Sequence, residues 1–244
     1  MVNSIDGIAR RTLPTLASDG AGVNLRLDSY GSLHARSELL AFAEEGTYFR
    51  ACNPTMGTGV AMGVQATFSD TANVLFLMRN SSATKRVIPH YIRLICTAAG
   101  ASSTASNIAI VTDTANRYSS GGTDLLTSIA NADSGTANTS VVDALRYNCT
   151  AAAVSAKRQV SRVAVKTQAS PCWVVGDEII IAFGDAGLSG GPGLTSGAAT
   201  ARYINNVGPV VLSGANHCML VHMWNTNNAV TPPSWEFEMA WWER

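Results

Sequence analysis

Along most of the chain, short runs rich in β-branched and aromatic residues are bounded by Gly, Asn, Asp, Ser and Pro, which is the pattern of strands joined by turns. Eleven runs stand out: Val23–Leu27, Thr47–Ala51, Val60–Phe68, Asn73–Arg79, His90–Thr97, Ile108–Thr112, Gln159–Lys166, Glu178–Phe183, Val207–Leu212, His217–Trp224 and Trp235–Trp242. In Gln159–Lys166 the alternation puts Arg162, Ala164 and Lys166 on one face and Val163 and Val165 on the other, as in a half-buried strand. Ile179–Phe183 is unbroken apolar and predicts a central strand covered on both sides. At the end, Trp235, Phe237, Met239 and Trp241 share one face of a strand while Glu236, Glu238 and Trp242 share the other. The first face closes the core; Trp242, on the polar face, is a candidate anchor for a subunit contact. One helix is predicted, over Ala35–Glu45, with Gly46 placed to cap it.

Residues 1–21 show no period of either kind and read as an extended N-terminal arm carrying Arg10 and Arg11. Residues 98–106 and 119–140 are dominated by Ala, Ser, Thr, Gly and Asn, offer little apolar area against the entropy of ordering, and read as long surface loops. The expected fold is all-β: a jelly-roll-like antiparallel β-sandwich over residues 22–244, with two facing sheets. A two-barrel arrangement fits the same strand count.

Composition bears on partners. The chain of 244 residues is 46% hydrophobic but only 14% charged, below the roughly 25% usual in soluble domains. Seventeen basic and seventeen acidic residues cancel, which removes the long-range repulsion that keeps proteins apart and favours assembly. Nucleic-acid binding needs a clustered basic face, and the densest basic stretch is Lys157, Arg158, Arg162 and Lys166 at strand spacing. Cys52, Cys96, Cys149, Cys172 and Cys218 form no CxxC pair and are odd in number, so free and mostly buried thiols are expected. No leader-like segment opens the chain and no run of about 18 apolar residues occurs. Synthesis in a reducing cytoplasm without a membrane partner follows as the expectation, with the sequons at Asn80, Asn138 and Asn148 left unglycosylated.

Candidate chemistry is sparse. Gly187 to Gly191 match GxSxG around Ser189, but Pro192 and Gly193 follow where a nucleophile elbow requires a helix. The segment Gly184 to Gly193 faintly resembles the serine-bearing GDSGGP stretch of chymotrypsin-like proteases. Ala186, Gly187 and Leu188 part Asp185 from Ser189, however, and Cys96-Thr97-Ala98-Ala99 leads to no histidine. His217 and His222, five apart in one strand, point to opposite faces and cannot ligate one metal there; His34 and His90 stand alone. Gly57, Gly59 and Gly63 are spaced GxGxxxG without a strand-to-helix unit. No catalytic residue, cofactor or metal is expected, and the chain is not expected to be an enzyme.

Three segments, Gly46 to Gly59, Arg117 to Thr123 and the WEFEMAWWER ending from Trp235, resemble parts of structural proteins of tailed bacteriophages, nearest to the jelly-roll capsid decoration or cement proteins. That resemblance implies a homo-oligomer, a trimer, bound to the major capsid protein on the virion surface and stabilising the head. Arg10, Arg11 and Trp242 are the expected interface residues. The alternative is a tail, fibre or baseplate protein whose loops bind a host receptor or glycan, and a serine hydrolase is the remote one.

Overall fold

The computed structural model describes residues 38–61, 67–100, 105–167, 173–184, 202–225 and 232–244. The chain divides into two compact units, Met1–Ala41 and Phe42–Arg244. The expected arm, with Arg10 and Arg11, the Val23–Leu27 strand, His34, Cys172 and the Ser189 segment all lie outside the described residues.

Helix α1 (Glu38–Glu44) leads to β1 (Tyr48–Cys52), β2 (Val60–Ala61), β3 (Val74–Asn80), β4 (Val87–Ala98) and β5 (Ala105–Asp113). Short strands follow: β6 (Tyr118–Ser120), β7 (Thr123–Asp124) and, after a 3-10 turn at Leu126–Ser128, β8 (Ile129–Asn131). Then come β9 (Val142–Ala151), β10 (Arg158–Thr167), β11 (Glu178–Phe183), β12 (Arg202–Val207), β13 (Cys218–Asn225) and β14 (Ser234–Glu243). The first sheet runs β12-β11-β4-β14-β1-β8 with β2 on β14; the second runs β10-β5-β13-β3-β9-β6 with β7 on β9. All pairings are antiparallel except β11 with β12.

This is an all-β sandwich, and its main core is filled from both sheets. Phe49, Leu94, Ile181, Phe237 and Trp241 come from the first and Phe76, Met78, Ile110, Leu145 and Met223 from the second. β11 pairs with β4 on one side and β12 on the other, and Ile179–Phe183 is buried throughout. In β14, Trp235, Phe237, Met239 and Trp241 all enter the core while Glu236, Glu238 and Trp242 are half-buried on the outer face. Against β14, strand β4 carries an extra residue at His90 and another at Thr97, so the pairing steps from Ala240 opposite Tyr91 to Trp241 opposite Pro89. The bulge switches the face on which β4 side chains lie and brings His90 and Tyr91 to the outside together.

Several expectations are corrected. Residues 119–140 are not a plain surface loop: β6, β7, the 3-10 turn and β8 lie there, and Leu125 is wholly buried. These pieces are held by side chains rather than by apolar area. Asp124 Oδ1 accepts from the Leu126 N–H at 3.0 Å, Asn131 donates to Gly46 O at 2.9 Å, and Asn131 Oδ1 accepts from the Asp133 N–H at 3.0 Å. Val207 closes β12, after which Gly208 and Pro209 end the strand, and Leu212 makes only an isolated bridge to Val87. Among the described residues of Val60–Phe68, Val60–Ala61 is strand and Phe68 belongs to an irregular segment; residues 62–66 lie outside the described residues. Helix α1 is described from Glu38, residues 35–37 lying outside the described residues, and it ends at Glu44, one residue before the expected end. Gly46 takes φ +64° and its N–H donates to Ala43 O, while the Thr47 N–H reaches back to Phe42 O, both at 3.0 Å.

Candidate interaction surfaces

The outer face of the first sheet has two parts. Near α1, the Trp242 ring stacks on Phe42 (5.6 Å between centroids), lies 6.5 Å from Tyr48 and is 5.2 Å from His90. The Arg244 guanidinium covers the other side of Phe42 at 4.4 Å. Trp242 is therefore half-covered by its own chain. Burial raises the Tyr48 phenol to about 12 even though Arg50 draws it down, and burial followed by the Arg50 charge lowers the His90 imidazole. The phenol therefore stays protonated, and its oxygen is hydrogen-bonded to His90 Nδ1, 2.8 Å away.

The rest of that face is charged. Glu238 of β14, Arg93 of β4, Glu178 of β11 and Arg202 of β12 form a ladder across four adjacent strands. Arg93 reaches Glu238 at 3.8 Å and Glu178 at 2.5 Å, and Arg202 reaches the other Glu178 oxygen at 2.6 Å. Tyr91 donates to Glu238 from the same row. Burial pushes the Glu178 carboxyl up, but the two arginines outweigh it and hold it below the usual carboxylate range. Arg202 is 61% exposed, so its pair contributes at most about 1 kcal/mol. The ladder fixes charge pattern more than stability.

The second sheet hides its outer face. Leu77, Leu220, Cys218, Cys149 and Ala144 form a smaller core there, and burial lifts the Cys149 and Cys218 thiols to about 11. Four of the five cysteines are described and are free thiols, three buried and Cys52 exposed. A wholly buried pair pins the covering segments. Arg117 donates to Asp113 Oδ2 (3.0 Å), Ala152 O (2.9 Å) and Asp70 O (2.8 Å), while Asp113 also accepts the N–H groups of Ala115, Ser155 and Ala156. Lys157 pairs with Asp70 at 2.8 Å. At the other end, Glu243 accepts from Ser140, Val141 and the Trp241 indole, and Asn80 spends its amide on Lys85 O, Leu212 O and the Ser82 N–H. The Asn80 sequon is thus buried and fully engaged.

His222, also on the outer face of β13, is wholly buried, and neither ring nitrogen has a hydrogen-bond partner. Phe68 meets it edge-on at 5.1 Å and Trp224 at 5.2 Å. Beside them lies a hollow of about 180 Å³ lined by Phe68, Ala109, Gln159, Arg162 and Trp224. A more open cleft of about 290 Å³ lies between β1, β8 and β9, lined by Phe49, Ile129 and the polar run Asn138 to Ser140.

The sequence-selected residues do not converge. His217 precedes β13 and His222 lies inside it, His90 is across the sandwich with Tyr48, and among the described residues no group of three His, Cys, Asp or Glu could hold a metal. No described helix is long and apolar enough to cross a membrane. The hollow was not legible because Phe68 looked like the end of a strand and Arg162 like part of a wet face. Only the pairing of β5 with β10 and β13 brings Ala109 between them. Compared with known proteins, the chain matches no family model, and no curated protein or solved structure shows significant similarity to it.

Proposed function

We propose that the chain is a structural subunit of a viral particle, a capsid decoration protein that packs against its own copies and against capsid subunits, and not an enzyme. The observation that carries this reading is the order of eight of the fourteen strands, with β12 and β8 outside them in one sheet and β9 in the other. Counted along the chain as β1, β3, β4, β5, β10, β11, β13 and β14, they lie as first, eighth, third and sixth in one sheet and second, seventh, fourth and fifth in the other. That order matches the strand order of two interlocked Greek keys, and so supports the jelly-roll arrangement used by viral capsid domains. Three further features support it. The net charge is zero, the segment resemblances are to phage structural proteins, and the buried polar groups Asp113, Arg117, Glu243 and Asn80 brace covering segments.

Light scattering of the purified full chain is expected to give three chain masses. Removal of residues 1–21, with Arg10 and Arg11, is expected to weaken sedimentation with the particle far more than it lowers the melting temperature. A monomer whose particle binding ignores the truncation overturns the proposal.

A further inference from the structure

The hollow on the second sheet owes its shape to one small residue. Pairing places His222 of β13, Ala109 of β5 and Arg162 of β10 in a single row on the outer face, because Ala109 is opposite His222 on one side and opposite Arg162 on the other. Inward neighbours Ile108 and Ile110 fill the core, so the same strand presents large side chains inside and a single methyl outside. A space of about 180 Å³ opens over that methyl, room for roughly six waters at about 30 Å³ each.

Its walls differ in character. Phe68 and Trp224 supply apolar surface on one side, and Phe68 is fixed edge-on to Trp224 and His222 with the Lys157 ammonium 5.3 Å from its ring. On the other side stand Arg162 and Gln159. The Arg162 guanidinium lies 5.8 Å from the Trp224 ring and has no carboxylate partner among the described residues, whereas Arg79, Arg93, Arg117, Arg146 and Arg202 each have one. Lys157 is already held by Asp70. A planar guanidinium matches a carboxylate through paired N–H donors. Unpaired beside an aromatic slot, it selects an anion with a flat apolar body. His222 adds a second mark of a site: a wholly buried imidazole with no partner costs stability that an apolar residue would not.

We propose that this hollow binds a small aromatic carboxylate of about the size of benzoate. The carboxylate pairs with Arg162 and takes a donor from the Gln159 amide, and the ring lies over Ala109 against the apolar wall that Phe68 and Trp224 form together. This site is independent of the assembly role and lies on the opposite sheet from Trp242.

Calorimetric titration of the full chain with benzoate and with its neutral isostere benzamide tests it. Benzoate is expected to bind in the millimolar range and benzamide about tenfold more weakly, with benzoate moving the His222 imidazole resonances. Arg162→Gln should abolish the preference for the acid, while Arg158→Gln, at an exposed position on the same strand outside the hollow, should keep it. Ala109→Leu should fill the space and end binding of both compounds; if that variant fails to fold, the two arginine variants decide. Equal affinity for benzoate and benzamide, no heat at millimolar concentration, or a preference that survives Arg162→Gln overturns the proposal.

Discussion

His222 and Asp113 are both wholly buried and titratable, yet they respond to acid at different points. Burial lowers the His222 imidazole to about 4, against a smaller upward pull from Asp70. The unfolded chain takes up that proton near the ordinary value of about 6.5. Because only the unfolded chain takes up that proton between these values, the fold loses stability as the pH falls from about 6.5 towards 4, by about 3 kcal/mol in all. His90 shifts in the same direction. For Asp113, burial raises the carboxyl, but the N–H groups of Ala156, Ala115 and Ser155 and the Arg117 side chain hold it below the usual range. Its contribution therefore survives to lower pH and fails only below about 4. His222→Leu should accordingly flatten the loss of stability between about pH 6.5 and about pH 4 while leaving the steeper loss below it. Denaturant unfolding at a series of pH values measures this, and an unchanged slope would show that the imidazole is not buried neutral. None of this was legible in the sequence. The five-residue spacing was read as two faces of one strand, whereas His217 precedes β13, and the surroundings of His222 depend on Phe68 closing over the ring.

At the scale of elements, local chemistry was legible wherever apolar area or backbone conformation decides the outcome. The run Glu178–Phe183 became β11 residue for residue, and the alternation after Pro233 became β14, because burial on two faces and on one face leaves period signatures in sequence. Gly46 was legible as a cap for a similar reason, and it is more constrained than the sequence implied. At φ +64° a Cβ would meet Thr136 Oγ1 at 2.7 Å and Thr136 Cγ2 at 2.9 Å. Gly46→Ala should cost about 1–2 kcal/mol from the left-handed backbone alone, plus the displacement of Thr136, read as a lower urea midpoint with an unchanged slope. A variant as stable as the parent would mean that the turn is not held in this conformation. Besides the short strands β6, β7 and β8, the illegible elements were β9 and β12. In β9, Arg146, Asn148 and Thr150 interrupt the apolar pattern because its outer face meets β6 and β7 only in part. Strand β12 is polar because it is the terminal strand of its sheet, with Asn205 and Asn206 needing no apolar partner.

At the scale of the whole molecule, the described main core is drawn from residues between Phe49 and Trp241. β14 sits between β4 and β1 near the middle of the first sheet, and it sends Trp235, Phe237, Met239 and Trp241 inward. Truncating a single buried Phe or Trp costs about 3–5 kcal/mol, and a domain holds only about 5–15 kcal/mol in total. Losing three such residues and Met239, together with the pairing of two neighbouring strands, exceeds what the fold has. On the proposal that residues 1–21 serve particle binding, a chain lacking them should melt in one cooperative transition within a few degrees of the full chain. A chain lacking residues 235–244 should show no such transition and no dispersed amide resonances, because β1 and β4 are left with facing edges and no strand between them. The pairing of β1 with β14 joins residues almost two hundred apart in sequence, as in Tyr48 with Trp242, and such long-range closure makes folding slow. If the shorter C-terminal deletion folded cooperatively, the first sheet would have to close by another route, and both the strand order and the assembly role built on it would fall together.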